Sequence, residues 1–299
     1  MPGRHGAGET RVDARCGADR GAGEGALHHS YALSPEGVRR GSVRTLLYLC
    51  AGAVLLGSCS QPPPPVAGLE PAPLTGFVGR RKQLPLPAEK ADVAVIFVGG
   101  FTEQVLLHFR QVYEQMPPLP CQGRQLRAYY AWDSGTGNLL FHSTWKLQRD
   151  LRAFLQLNPQ ADVVLLGHSY GGSAIMDALR QLGDVPHSGK VLVVTLDPVS
   201  RRERSQPRDR APMVDFWVNA YCSPYRNVRD AAAWLGGPWG HCPQADENLA
   251  YSGRQRDAAG ARFAHVYPEP LLMEKPPGAG KSPHELLLEA CKRFRIGKK

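Results

Sequence analysis

The run Val163-Val164-Leu165-Leu166 passes directly into Gly167-His168-Ser169-Tyr170-Gly171-Gly172. Four consecutive apolar residues closed by glycine read as a strand buried on both faces. The glycines allow a turn too tight for side chains at its flanks. Ala174, Ile175, Ala178, Leu179 and Leu182 then fall on one face of a helix. Strand, sharp turn and helix together make a nucleophile elbow, which holds the apical serine, Ser169, in a strained conformation with its hydroxyl presented outward. The backbone N–H of Tyr170 is then placed to bind an oxyanion. With 32 glycines in 299 residues the G-x-S-x-G spacing also arises by chance. The strand before it and the helix behind it separate this instance from a plain glycine turn.

The alternation extends along the chain. Residues 93–98 form a second buried strand, ending in Gly99-Gly100. Residues 105–116 suit a helix stopped by Pro117 and Pro118, and the tyrosine-rich stretch 125–132 reads as a strand. Leu147, Leu151, Phe154 and Leu155 share a helical face ahead of Pro159. Strands follow at 190–196, 213–221 and 245–251. Strands alternating with helices predict an α/β fold, a mostly parallel sheet flanked by helices, built as a single domain over residues 90–299.

The chain before that domain reads as a processing signal. Arg39, Arg40 and Arg44 precede the apolar stretch 46–56, which is short for a membrane span and has the layout of a secretory signal over residues 38–58. An uncleaved anchor helix is the competing reading. Leu56-Gly57-Ser58-Cys59 resembles the bacterial lipobox, which implies diacylation of Cys59 as the new N-terminus. Ser60 is not the aspartate that resembles an inner-membrane retention signal, so the implied location is the bacterial envelope, at the outer membrane. Residues 1–37, rich in Gly, Ala and Arg, fit no part of a signal and lack apolar periodicity. They are expected to be disordered or untranslated, with the start at Val38 or Val43. Residues 59–89, with Pro62 to Pro65, read as a stiff, solvated tether.

The whole chain carries a net charge of +9. The basic groups Arg201-Arg202-Glu203-Arg204 and Arg208-Asp209-Arg210 suit either a solvated loop or contact with anionic lipid. No nucleic-acid motif is present. Beyond Cys59 stand Cys121, Cys222, Cys242 and Cys291, an even count that permits two disulfides in an oxidising compartment. Cys222 and Cys242 bracket a loop of Gly, Pro and Trp and are the expected pair. His241-Cys242 lacks further ligands for zinc, so no metal is expected.

From its elbow, its glycine-ended first strand and a following acid in the expected chain order, the domain resembles a small α/β-hydrolase. It looks most similar to compact bacterial esterases and lipases. The resemblance implies a serine hydrolase acting on an acyl ester or lipid without a cofactor, with chain order Ser, acid, His. An acyltransferase, and a non-catalytic envelope lipoprotein using the fold as a binding module, are the alternatives. Ser169 is then the nucleophile. Asp197, at the end of a strand in Thr195-Leu196-Asp197-Pro198, is the orienting acid, with Asp230 and Asp246 as alternatives. The second oxyanion donor is expected at Gly100 or Phe101, although Gly99-Gly100 also suits a simple turn. For the base, His265, His284 and His241 all follow Asp197. His265, after the last strand and a polar loop, is taken first, with His284 at the start of the final helix as the alternative. The long segment 223–261 carries Tyr225, Trp234 and Trp239, which suit an apolar lid over the serine or a satellite hydrophobic cluster. Asp133-Ser134-Gly135 offers a polar contact at the same edge, or a turn.

Overall fold

Strands and helices alternate throughout the computed structural model, which describes residues 84–100, 103, 107–131, 145–200, 209–225 and 230–298. The strands are β1 (Val93–Gly99), β2 (Gln125–Ala131), β3 (Asp162–His168), β4 (Val191–Leu196), β5 (Phe216–Cys222) and β6 (Glu247–Tyr251). Between and after them come helices α1 (His108–Gln115), α2 (Trp145–Leu157), α3 (Tyr170–Arg180), α4 (Ala231–Gly236), α5 (Pro268–Met273) and α6 (Pro283–Arg293). The strands form one sheet in the order β2-β1-β3-β4-β5-β6, every neighbouring pair parallel.

Parallel strands need crossover helices, so both sheet faces are covered and the strands are apolar throughout. β1 shows the consequence. Ala94, Ile96 and Val98 point into one core, while Val93, Val95 and Phe97 point into the other. On the first side lie Leu147, Leu151 and Phe154 of α2, with Ile175 and Leu179 of α3. On the second lie Phe109 and Val112 of α1, Leu271 and Leu272 of α5, and Leu287 and Ala290 of α6.

β2 lies on one side of β1 and β3 on the other. The chain direction across the sheet therefore reverses at the β1–β3 pair. In open α/β sheets the crevice at such a switch point, beyond the carboxyl ends of the strands, is where ligands bind. Gly99-Gly100 and Ser169 both stand at that end.

The folded unit begins earlier than the composition suggests. Leu84 exchanges two backbone hydrogen bonds with Tyr129, at 3.0 and 2.8 Å, and the Leu86 N–H donates to the Tyr130 hydroxyl at 2.8 Å. β2 is an edge strand with open backbone groups and an apolar flank, and these two leucines cover it. The end of the expected tether is thus part of the domain. The remainder of residues 1–83, including the segments 1–37 and 38–58 and Cys59, lies outside the described residues.

The expected disulfide is absent. Cys222 and Cys242 are both buried and are not bonded to each other. Cys222 ends β5 and points into the core that holds α1, α5 and α6, whereas Cys242 packs with Trp217 and Trp239 in the opposite core. The sheet lies between the two thiols, and a bridge demands Cβ atoms about 3.5–4.5 Å apart. Peptide mapping of protein alkylated under denaturing, non-reducing conditions is expected to recover both residues as free thiols. A linked 222–242 peptide would contradict this packing.

Candidate active site

Ser169 is forced into its conformation by the approach of α3 to the strand ends. It adopts φ 57° and ψ −127° between the last residue of β3 and the first of α3. A β-carbon on Gly171 would lie 2.0 Å from the Val98 carbonyl oxygen, and one on Gly167 would lie 2.8 Å from the Gly172 backbone. Only glycine fits at either point, which is the physical content of the G-x-S-x-G spacing. A β-carbon on Gly100 would meet Ser169 Cβ at 2.5 Å and Oγ at 2.9 Å. The backbone at the exit of β1 therefore passes directly beside the serine hydroxyl, the location an oxyanion donor requires. Tyr170, as the first residue of α3, adjoins the serine on its other side. Phe101 lies outside the described residues.

Asp197 leaves β4 at φ 44° and is 1% exposed. Its Oδ2 accepts a hydrogen bond from His265 Nδ1 at 2.7 Å, and His265 Nε2 stands 2.9 Å from Ser169 Oγ. A carboxylate only accepts, so the neutral imidazole carries its proton on Nδ1 and offers Nε2 as acceptor to the serine hydroxyl. The result is an unbroken line from carboxylate to imidazole to hydroxyl, 4% exposed at the histidine. It brings together residues 169, 197 and 265, drawn from the ends of β3 and β4 and from the segment after β6. Such a line can accept the hydroxyl proton as oxygen attacks an electrophile, and can hold the imidazolium that results.

A buried carboxylate must be hydrogen-bonded to remain charged. Asp197 Oδ1 accepts from the Cys222 N–H at 2.9 Å, and the Tyr225 hydroxyl donates to Oδ1 and Oδ2 at 2.9 and 3.0 Å. Burial first, and then the Asp197 charge, push the Tyr225 hydroxyl well above the ordinary phenol range, so it remains a donor. Asp230 Oδ1 accepts from the His265 backbone N–H at 2.7 Å. The sequence offers Tyr225 as part of a lid wall or a satellite cluster, and Asp230 as an alternative acid. The structure gives both to the support of the Asp197–His265 pair. Their only sequence signal was position, in the loop that follows β5.

The other candidates are elsewhere. His284 sits in the first turn of α6, flanked by the capping box of Ser282 and Glu285, and is not joined to Ser169. His241 is exposed and lies edge-on to Tyr221. Asp246 pairs with Arg210 at 2.9 Å and accepts from the Trp217 N–H. Arg210 is thereby engaged within the fold; Arg201, Arg202, Arg204 and Arg208 lie outside the described residues. Trp239 is core, its Nε1 donating to Ser200 and its ring edge-on to Trp217, so it does not wall the serine. Trp234 on α4 is 63% exposed. Residues 133–135 lie outside the described residues.

The family model for the alpha/beta hydrolase family matches residues 95–293, well over half of the chain. The chain belongs to the alpha/beta hydrolase family. A search of the curated proteins finds no match. The six-stranded parallel sheet, the β1–β3 switch point and the elbow are therefore the framework of an alpha/beta hydrolase.

This alpha/beta hydrolase family member also buries a second histidine at the site. His168, 6% exposed, is held well below the ordinary imidazole range by burial, and next by the nearby His265. The sign of its effect on stability follows. Below about pH 6.5 the unfolded chain protonates this histidine and the native state does not, so the unfolded state binds more protons and stability falls as pH drops. The loss approaches about 1.4 kcal/mol per pH unit for a group that stays neutral. Urea unfolding followed between about pH 5 and pH 8 is expected to show a midpoint that declines on the acid side, with a shallower decline in His168→Phe.

Proposed function

We propose that this alpha/beta hydrolase is a serine hydrolase that cleaves carboxylic esters or thioesters through an acyl-enzyme. The observation that carries the reading is the hydrogen-bonded line from Asp197 Oδ2 through His265 to Ser169 Oγ, at 2.7 and 2.9 Å, on a serine held at φ 57°. Ser169 Oγ attacks the acyl carbon as His265 Nε2 takes its proton. The carbonyl electrons move onto oxygen, where backbone N–H groups of Tyr170 and of Gly100 or Phe101 receive the charge. Collapse of the tetrahedral species expels the alcohol or thiol, which leaves with the proton from His265. Water then repeats the sequence and frees the acid. Asp197, fixed by Cys222 and Tyr225, holds the imidazole in the working tautomer throughout.

A fluorophosphonate probe and p-nitrophenyl esters of graded acyl length test this directly. Ser169→Ala and His265→Ala are each expected to lower turnover by about 10⁴- to 10⁶-fold, with the double variant little worse, because the residues act as one unit. Asp197→Asn is expected to cost about 10⁴-fold, and His284→Ala to leave turnover near wild type. Probe labelling should vanish in Ser169→Ala. Full activity in that variant overturns the mechanism.

The same reading includes export. Lipid on Cys59 would hold the enzyme at the bacterial envelope, each buried methylene contributing about 0.8 kcal/mol, so that two or more acyl chains anchor stably. The expected result is that Cys59→Ala moves the protein out of the membrane fraction, or leaves it unprocessed, on fractionation of producing cells. Retention with the outer membrane in that variant rules out the lipid anchor.

A further inference from the structure

One buried polar side chain at the site has no part in the proton path. His168 is the last residue of β3 and directly precedes Ser169. Its Nε2 lies 2.7 Å from the carbonyl oxygen of His265. A carbonyl only accepts, so Nε2 carries the proton and donates, which leaves Nδ1 as a bare acceptor. Nδ1 is buried and has no hydrogen-bond partner among the described residues. An unpaired buried acceptor is unfavourable, and an apolar ring in this slot would avoid it. The ring otherwise makes contacts that phenylalanine could make, lying 5.9 Å from the Phe109 ring and 5.1 Å from the His265 ring. What distinguishes histidine here is the single N–H aimed at His265.

That bond completes a clamp on one short piece of backbone. The His265 N–H donates to Asp230, its carbonyl accepts from His168, and its side chain donates to Asp197. Two of the anchors come from segments that follow β4 and β5. The third comes from the residue bonded to the serine itself, so it links the position of the imidazole to the position of Oγ. We infer that His168 is a positioning residue, whose Nε2–H to the His265 carbonyl sets the spacing between the imidazole and Ser169. The inference rests on the acyl-transfer reading above, in which that spacing governs proton transfer.

The environment of His168 keeps it suited to this task. Burial, then the His265 imidazole, and also His108 at the start of α1 disfavour its protonation, outweighing the hydrogen bond to the His265 carbonyl, which favours it. It therefore does not compete with His265 for the serine proton, and no second cation stands 5.1 Å from the imidazolium formed during acylation. Displacement of a reacting group by about 1 Å is enough to lower a rate about 100-fold.

His168→Phe removes the donor and keeps a ring; His168→Gln keeps an N–H of similar reach. Turnover of p-nitrophenyl acetate and the low-field NMR resonance of the His265 Nδ1–H are measured in both. In His168→Phe we expect kcat to fall about 10- to 100-fold with KM unchanged, and the resonance to broaden by solvent exchange. His168→Gln should recover most of both. Wild-type kcat with a sharp resonance in His168→Phe, or a glutamine variant as poor as phenylalanine, overturns the inference. Should the variants not fold, ¹⁵N-histidine spectra of the wild-type enzyme decide instead. His168 is expected as the Nε2–H tautomer, unchanged between about pH 5 and pH 8; the Nδ1–H tautomer, or titration in that window, overturns it. A wild-type protein that neither labels with fluorophosphonate nor cleaves any ester fails the hydrolase reading itself. Active wild type with an unimpaired His168→Phe fails only the positioning role.

Discussion

The backbone of Gly171 passes so close to the carbonyl of Val98 that no side chain fits between helix and strand, a β-carbon there lying 2.0 Å from the oxygen. This contact ties the start of α3 to the end of β1 and sets the shape of the whole carboxyl edge. It bends the chain sharply after β3 and leaves Ser169 at φ 57°, a conformation that non-glycine residues avoid unless the surroundings impose it. The surroundings here are two packed cores and a parallel register running from β2 to β6, so the strain is held by the sheet and not by the turn alone. The same approach brings Gly100 beside the hydroxyl. The strained turn at Ser169 and the close approach of the Gly100 backbone to its hydroxyl are thus two outcomes of one steric constraint.

Asp197 poses the opposite problem, that of keeping a charge inside. At 1% exposure its carboxylate is almost out of reach of bulk water, and it survives there by accepting from a backbone N–H, a phenol and an imidazole. These donors come from β5, from the loop after it and from the segment after β6, so the carboxylate joins three parts of the chain. Its position is over-determined, and the imidazole it orients inherits that rigidity. Nearby, the buried Trp217, Thr195 and Asn219 and the half-buried Asn248 form a second polar series, with Trp217 Nε1 on Thr195 Oγ1 and Asn219 Nδ2 on Asn248 Oδ1. Through Asn219 to the Gly240 carbonyl and Asn248 to Cys242, this series fastens the segment around residue 240 to the sheet. That fastening makes Trp239 a core residue, which decides for packing over a lid at this position.

Much of this was legible from residues alone, because it rests on local rules. Continuous apolar runs report strands covered on both faces, glycine spacing reports the elbow, and the order of acid and histidine after the serine narrows the candidates. Ser169 and Asp197 sit at strand ends, which periodicity finds well. Strand 213–221 was drawn longer at its start than β5, since Met213 and Val214 are apolar but pack in the connection that precedes it. The tether was drawn past Leu84 and Leu86, because two leucines among prolines carry no period of their own.

Sequence by itself determined the α/β alternation, the parallel sheet, the elbow and the serine at its apex, because each leaves a local signature of apolar runs, helical periodicity or glycine spacing. Only the tertiary structure decided which histidine meets the serine, since residues 241, 265 and 284 satisfy the same order and differ in which loop returns to the end of β3. It also separated Cys222 from Cys242 by a sheet, and made Tyr225, a lid or cluster residue by sequence, and Asp230, an alternative acid, into supports for Asp197 and His265. His168 received its partner in the same way, from a residue 97 positions along the chain. Which side chain a buried donor or acceptor meets is set by how distant segments pack. No local pattern of apolar and polar residues encodes that meeting.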